Sequence, residues 1–189
     1  MVDNAIGGIG IAPKARGRVS QVNLNSTEGI LDAIFVAIHN MEFGEIMLIE
    51  AQIQAHTATS GMSYCPVEVY GRYFDALRLA SALGITVVEV AGNGASDLDT
   101  PFSTDGITFR NVLSRNHTDF RDSGAIVVGG ATKGVPHERK EGFSDNTQTN
   151  FGSRIDAYSW FEGIYTTSFT SPTGYLDNFS GTPLVPAPS

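Results

Sequence analysis

The chain of 189 residues has a single cysteine, Cys65, which excludes an internal disulfide and any cysteine-rich zinc site. It is short of positive charge, with 12 basic against 20 acidic residues and a net charge of −8, so it offers no electrostatic footprint for a phosphate backbone. Nucleic acid is excluded as an expected partner. Its strongest apolar run, Ile46 to Ile49, is far too short to cross a bilayer. The opening Met-Val-Asp-Asn-Ala-Ile-Gly-Gly-Ile-Gly has neither the basic nor the apolar region of a signal peptide, so the reading leaves localisation unknown.

What is present suits one domain with a real core: 41% apolar and 17% charged residues, with 21 glycines and 8 prolines that favour tight turns over long helices. Arg18 to Leu24 reads as a short strand, and Asn25-Ser26-Thr27-Glu28 as a helix start. Ile30, Leu31, Ile34, Phe35 and Ile38 then fall on one face of a helix over Glu28 to Asn40. Glu45 to Ala51 reads as a buried strand, because four consecutive apolar residues leave no polar face. Pro66 suits the first turn of a second helix, Val67 to Leu83, that Gly84 ends.

Ile85 to Val90 follows as a strand that opens into a glycine-rich loop, and Ala125 to Gly129 is the next strand. Ser153 to Trp160 is another short one. Strand, helix, strand, helix, strand, with strands apolar on both faces, predicts an α/β fold with a parallel sheet flanked by helices. In such sheets ligands sit beyond the carboxyl ends of the strands, and Asn93 lies at one such end.

Five stretches, in this order and spacing, carry a family resemblance. They are DNAIGGIGIAP (Asp3 to Pro13), GITVVEVAGNG (Gly84 to Gly94), DSGAIVVGGAT (Asp122 to Thr132), FGSRIDAYSW (Phe151 to Trp160) and NFSGT (Asn178 to Thr182). Together the chain resembles the subtilisin-like (subtilase, S8) serine peptidases from Asp3 to Thr182. The resemblance implies a partial peptidase S8 domain over residues 1–182, a subtilisin-like sheet incomplete at its N-terminal side, and serine endopeptidase chemistry on peptide or protein substrates. That chemistry takes a serine nucleophile, a histidine base, a carboxylate to orient it and donors for the oxyanion.

By the same resemblance, the family's Asp and His stand upstream of Met1. None of His39, His56, His117 and His137 sits in the family's His-Gly-Thr motif. His39 is expected at a helix end, the other three in polar loops, and Asp122 in a surface loop entering a strand. Asn93 matches the asparagine that points its amide at the developing oxyanion. The alternative at Asn93 is a left-handed turn between two glycines. Ala91, Gly92 and the strand end Glu50, Ala51 and Gln52 would line the substrate cleft, although many subtilases carry Ser-Leu-Gly where this chain has Glu50-Ala51-Gln52.

The family's nucleophile follows Gly-Thr, and here Gly181-Thr182 is followed by Pro183, which has no hydroxyl. The codons for Pro-Leu-Val-Pro-Ala-Pro-Ser permit, in an offset frame, Ser-Gly-Ala-Ser-Pro-Ile, a well-formed subtilase nucleophile segment. Residues 183–189 therefore read as an aberrant, frame-shifted tail, and the chain is expected to be inactive alone. A non-catalytic, peptide-binding pseudoprotease domain is the alternative, and an uncovered sheet edge would favour self-association.

Three weaker signals complete the reading. Gly7 to Gly10 carries a glycine pattern of nucleotide binders, without the third glycine and following helix that the fingerprint needs. Ser96-Asp97-Leu98-Asp99 reads as a solvated turn, with calcium ligation as its alternative, and no cofactor is expected. The sequons at Asn25, Asn116 and Asn178 bear on the protein only along a eukaryotic secretory route.

Overall fold

The structure, a computed structural model, describes residues 12, 14–22, 29–59, 61–141, 148–168 and 173–179. The expected helix start at residues 25–28, most of the stretch from Asp3 to Pro13, and Pro183 with its tail lie outside the described residues.

Strands β1 (Ile46–Ile49), β4 (Thr86–Val90), β6 (Ile126–Ala131) and β7 (Ala157–Trp160) form a parallel sheet in the order β1-β4-β6-β7. Helices α1 (Gly29–Asn40) and α2 (Gly71–Ala82) supply the layer against it. A second sheet, β3-β2-β5, is antiparallel and comprises β2 (Ile53–Thr57), β3 (Gly61–Cys65) and β5 (Phe102–Ser103). Strands β8 (Ile164–Thr167) and β9 (Tyr175–Phe179) form a separate hairpin. The α/β class with a parallel sheet and two helices is as the sequence predicts.

Parallel register places Met47 beside Val87 and Ile49 beside Glu89, all on one face. That face packs into a core with Ile34 of α1 and Tyr73, Ala76, Leu77 and Ala80 of α2. The opposite face presents Ile46 (68% exposed), Leu48 (59%) and Ile126 (39%). A parallel strand is apolar on both sides because both are normally covered. Here, among the described residues, the opposite face leaves Ile46, Leu48 and Ile126 exposed, with Val88 and Val128 half-buried beside them.

Four local expectations are corrected. Arg18 to Val22, the described part of the first expected strand, has no regular structure. Such a strand needs a neighbour for its backbone groups, and none of the three sheets includes this segment. The second helix starts at Gly71, not Val67: Pro66 opens a single 3-10 turn, Val67–Val69, and the extended Tyr70 (φ −83°, ψ 129°) separates it from α2. That break turns Glu68 into the interior, where it is buried. Phe35 is 46% exposed. The stripe of α1 that reaches the core centres on Ile34, with Ile30, Leu31 and Ile38 beside it, and one residue further round the helix already faces outward. His56 lies in β2, paired with Met62 and Ser103, rather than in a loop.

Candidate functional site

The loop that follows β4 is held by hydrogen bonds from three other segments. The sheet ends where the Ala91 N–H donates to Val128 O (2.9 Å). Gly92 then turns with φ 92°, which side-chain-bearing residues rarely adopt. A Cβ there would also stand 3.1 Å from the Cys65 backbone, and one at Gly94 would stand 2.2 Å from Tyr64 O. Glycine is required at both positions because β3 passes that close.

Three segments grip this loop. From the end of β1, Gln52 Oε1 accepts the Asn93 N–H (2.8 Å). From β3, Ser63 Oγ donates to Gly94 O (3.0 Å) and shares a hydrogen bond with Ser96 Oγ (2.7 Å). The third is Asn150, 0% exposed, whose Nδ2 donates to Ala91 O (2.6 Å) and Tyr64 O (2.7 Å). Its Oδ1 accepts the Ser96 N–H (2.8 Å), and its own N–H donates to Gly92 O (3.0 Å). One side chain thus ties the site loop, β3 and the segment before β7 together.

Asn93 itself is 7% exposed at the carboxyl end of an inner strand. The left-handed positions around it are Gly92 and Ala95 (φ 53°), so the turn alternative at Asn93 does not hold. Its backbone N–H is held by Gln52, and its carboxamide carries two N–H donors. Of the other expected cleft residues, Glu50 is exposed, Ala51 packs in the helix-covered core, and Ala91 is fully buried. Gln52 reaches Asn93 directly. The structure thus brings Gln52, Ala91, Gly92 and Asn93 together and turns Glu50 to solvent.

The acidic loop after the site spends its oxygens internally. Asp97 Oδ1 accepts the Asp99 N–H (3.0 Å), and Asp99 accepts both the N–H (2.9 Å) and the hydroxyl of Ser153. Partial burial raises the Asp99 pKa, but the hydrogen bonds from Ser153 and Ser114 outweigh it and hold the carboxyl below its ordinary range. Among the described residues no group of three or more His, Cys, Asp or Glu side chains is placed to hold a metal ion.

The histidines are dispersed. His39 is in the last turn of α1, His117 Nδ1 accepts the Asp119 N–H (3.1 Å), and the His137 ring lies 6.4 Å from that of Trp160. Asp122 caps the Gly124 N–H (2.8 Å) in the loop that enters β6, as expected.

Sequence reasoning missed Asn150 and Ser63. Asn150 directly precedes the recognised stretch beginning at Phe151, and an asparagine beside a threonine and a glycine-containing turn looks like any loop residue. No family model matches the chain, and no curated protein matches it at a significant level.

Proposed function

We propose that the chain carries the oxyanion side of a subtilisin-type serine endopeptidase site, with Asn93 as the donor to the developing oxyanion. The observation that carries this reading is the placement of Asn93. It lies just past the carboxyl end of an inner parallel strand, and Gln52, Ser63 and Asn150 grip its loop. Preorganised donors of this kind matter because they need no reorganisation as charge develops, and removing one typically costs about a hundredfold to a thousandfold in rate.

The chain by itself does not complete the reaction. A serine peptidase needs a histidine to take the hydroxyl proton, and none of the four histidines stands in the family's motif. Pro183 occupies the nucleophile position in the sequence. A serine-directed phosphonate is therefore expected to leave the chain unlabelled, and Pro183→Ser to change nothing. Labelling of any serine in proportion to peptide cleavage would overturn the inactivity.

The partly exposed sheet face supports self-association. Ile46, Leu48 and Ile126 form an apolar surface on a parallel sheet, and among the described residues β1 is also an edge strand of that sheet. Size-exclusion chromatography is expected to show species larger than the monomer. The double substitution Ile46→Lys, Leu48→Lys is expected to shift them to monomer. A concentration-independent monomer before substitution sinks this prediction.

A further inference from the structure

We propose that Glu89 is carried in the folded protein as a neutral carboxylic acid sharing its proton with Glu68, forming a pH-responsive latch beneath the strand that leads to Asn93. The inference starts from an accounting of partners. Glu89 sits on β4, on the helix-covered face, and is 0% exposed. Among the described residues neither of its oxygens has a side-chain donor, and the Glu68 backbone N–H, outside hydrogen-bond geometry, offsets the burial only in part. An ionised carboxylate accepts hydrogen bonds and donates none, so a buried one without donors is strongly disfavoured.

The nearby cation is already used. Arg154, also fully buried, donates through Nε and Nη2 to Glu68 (2.5 and 3.2 Å), through Nη2 to Ala125 O (3.0 Å), and through Nη1 to Asp156 (2.7 Å). Ser123 Oγ donates to Glu68 as well (2.5 Å). Two carboxylates therefore share the Arg154 charge before Glu89 is considered. A second negative charge beside Glu68 would be repelled, whereas a proton on Glu89 can bond to it.

The groups facing Glu89 come from several elements. They are Cys65 of β3, Glu68 of the 3-10 turn and Arg154 before β7, with Asp156 behind Arg154. The buried titratable group of α2 is Tyr73, which packs in the helix-covered core, and α1 contributes Ile34 there. Burial, then the Glu68 charge, push the Glu89 carboxyl well above its ordinary range, and Arg154 offsets only part of this.

The sign of the pH effect follows. The folded protein holds a proton that the unfolded chain releases near the ordinary glutamate value of about 4.3. The stability from this proton is complete below that value and is lost as pH rises through the folded-state ionisation of Glu89. Asp99 and Asp156, whose pKa values are lowered, act in the opposite direction and on the acid side. Ionisation of Glu89 would push β4 away from the 3-10 turn, and the loop from Gly92 to Ser96, continuous with β4, would loosen with it.

The test is a carbon-13 NMR titration of the glutamate carboxyls in the full chain, paired with thermal denaturation against pH. The expected result is a Glu89 carboxyl that stays protonated at neutral pH, and a melting temperature that falls as the pH is raised from about 5 to about 8. Glu89→Gln, which keeps the shape and supplies its own donors to Glu68, is expected to remove that fall. It should also slow amide exchange of Gly92 to Ser96 relative to the unsubstituted chain at alkaline pH. Titration of Glu89 in the ordinary carboxylate range, or an unchanged fall in melting temperature in Glu89→Gln, would overturn the proposal. The titration needs no substituted protein, so the outcome is decided even if Glu89→Gln does not fold.

Discussion

Replacing Arg154 with leucine is expected to lower stability by about 3–5 kcal/mol, the cost of removing one partner from a buried ion pair. The side chain is fully enclosed and joins three parts of the fold: Glu68 in the 3-10 turn, Ala125 at the entry to β6, and Asp156 before β7. Without it Glu68 is left buried with Ser123 as its donor and with Glu89 nearby. Burial alone would lower the Arg154 pKa, but the Glu68 hydrogen bonds and charge, then Glu89 and Asp156, raise it on balance, so the guanidinium stays charged throughout the working pH range. Urea denaturation measures the loss. The companion substitution of Glu68, Glu89 and Arg154 together by apolar residues of similar volume is expected to cost far less, because no charge is stranded. Equal losses in the two proteins would show that packing volume, rather than the ion pair, dominates.

Asn150→Ala is expected to be the second large effect, through the site loop rather than the sheet. The truncation strands Ala91 O, Tyr64 O and the Ser96 N–H, each of which loses a partner in a buried or half-buried place. An unsatisfied buried polar group costs about 1–3 kcal/mol, so the three together are expected to remove about 3 kcal/mol or more. The loss should be uneven across the molecule. Hydrogen exchange is expected to accelerate for Gly92 to Ser96 and for β3 while α2 stays protected. Uniform acceleration, or a loss under about 1 kcal/mol, would show that Gln52 and Ser63 hold the loop without Asn150.

Much of the parallel sheet is legible from pattern alone. The runs that become β1, β4 and β6 have few polar residues, so no amphipathic alternative competes for them. The hairpin of β2 and β3 was not legible, because Gln54, His56, Ser63 and Tyr64 give it the composition of a polar loop. Its strands exist because they pair with each other and with β5, and because Ala55, Cys65 and Phe102 close a second core beneath them. Phe35 shows the opposite error, an apolar residue on a helical stripe that the actual packing leaves outside.

At the site the division is similar. Asn93 is singled out by its place at the carboxyl end of an apolar strand and by its resemblance to the subtilase asparagine, both local signals. Gln52 meets Asn93 from 41 residues away along the chain, Asn150 meets the flanking Ser96 and Ala91 from 54 and 59, and no spacing rule reports contacts at that separation.

The sequence by itself determined the α/β class, the two helices and the strand runs that become β1, β4 and β6, since each depends on local periodicity or residue identity. Only the tertiary structure decided which face of the sheet is covered, that Glu68, Glu89 and Arg154 share one buried site, and that Asn150 holds the loop around Asn93. Those features depend on which distant groups are brought together away from water, where a charge without a partner becomes costly and a hydrogen bond becomes obligatory.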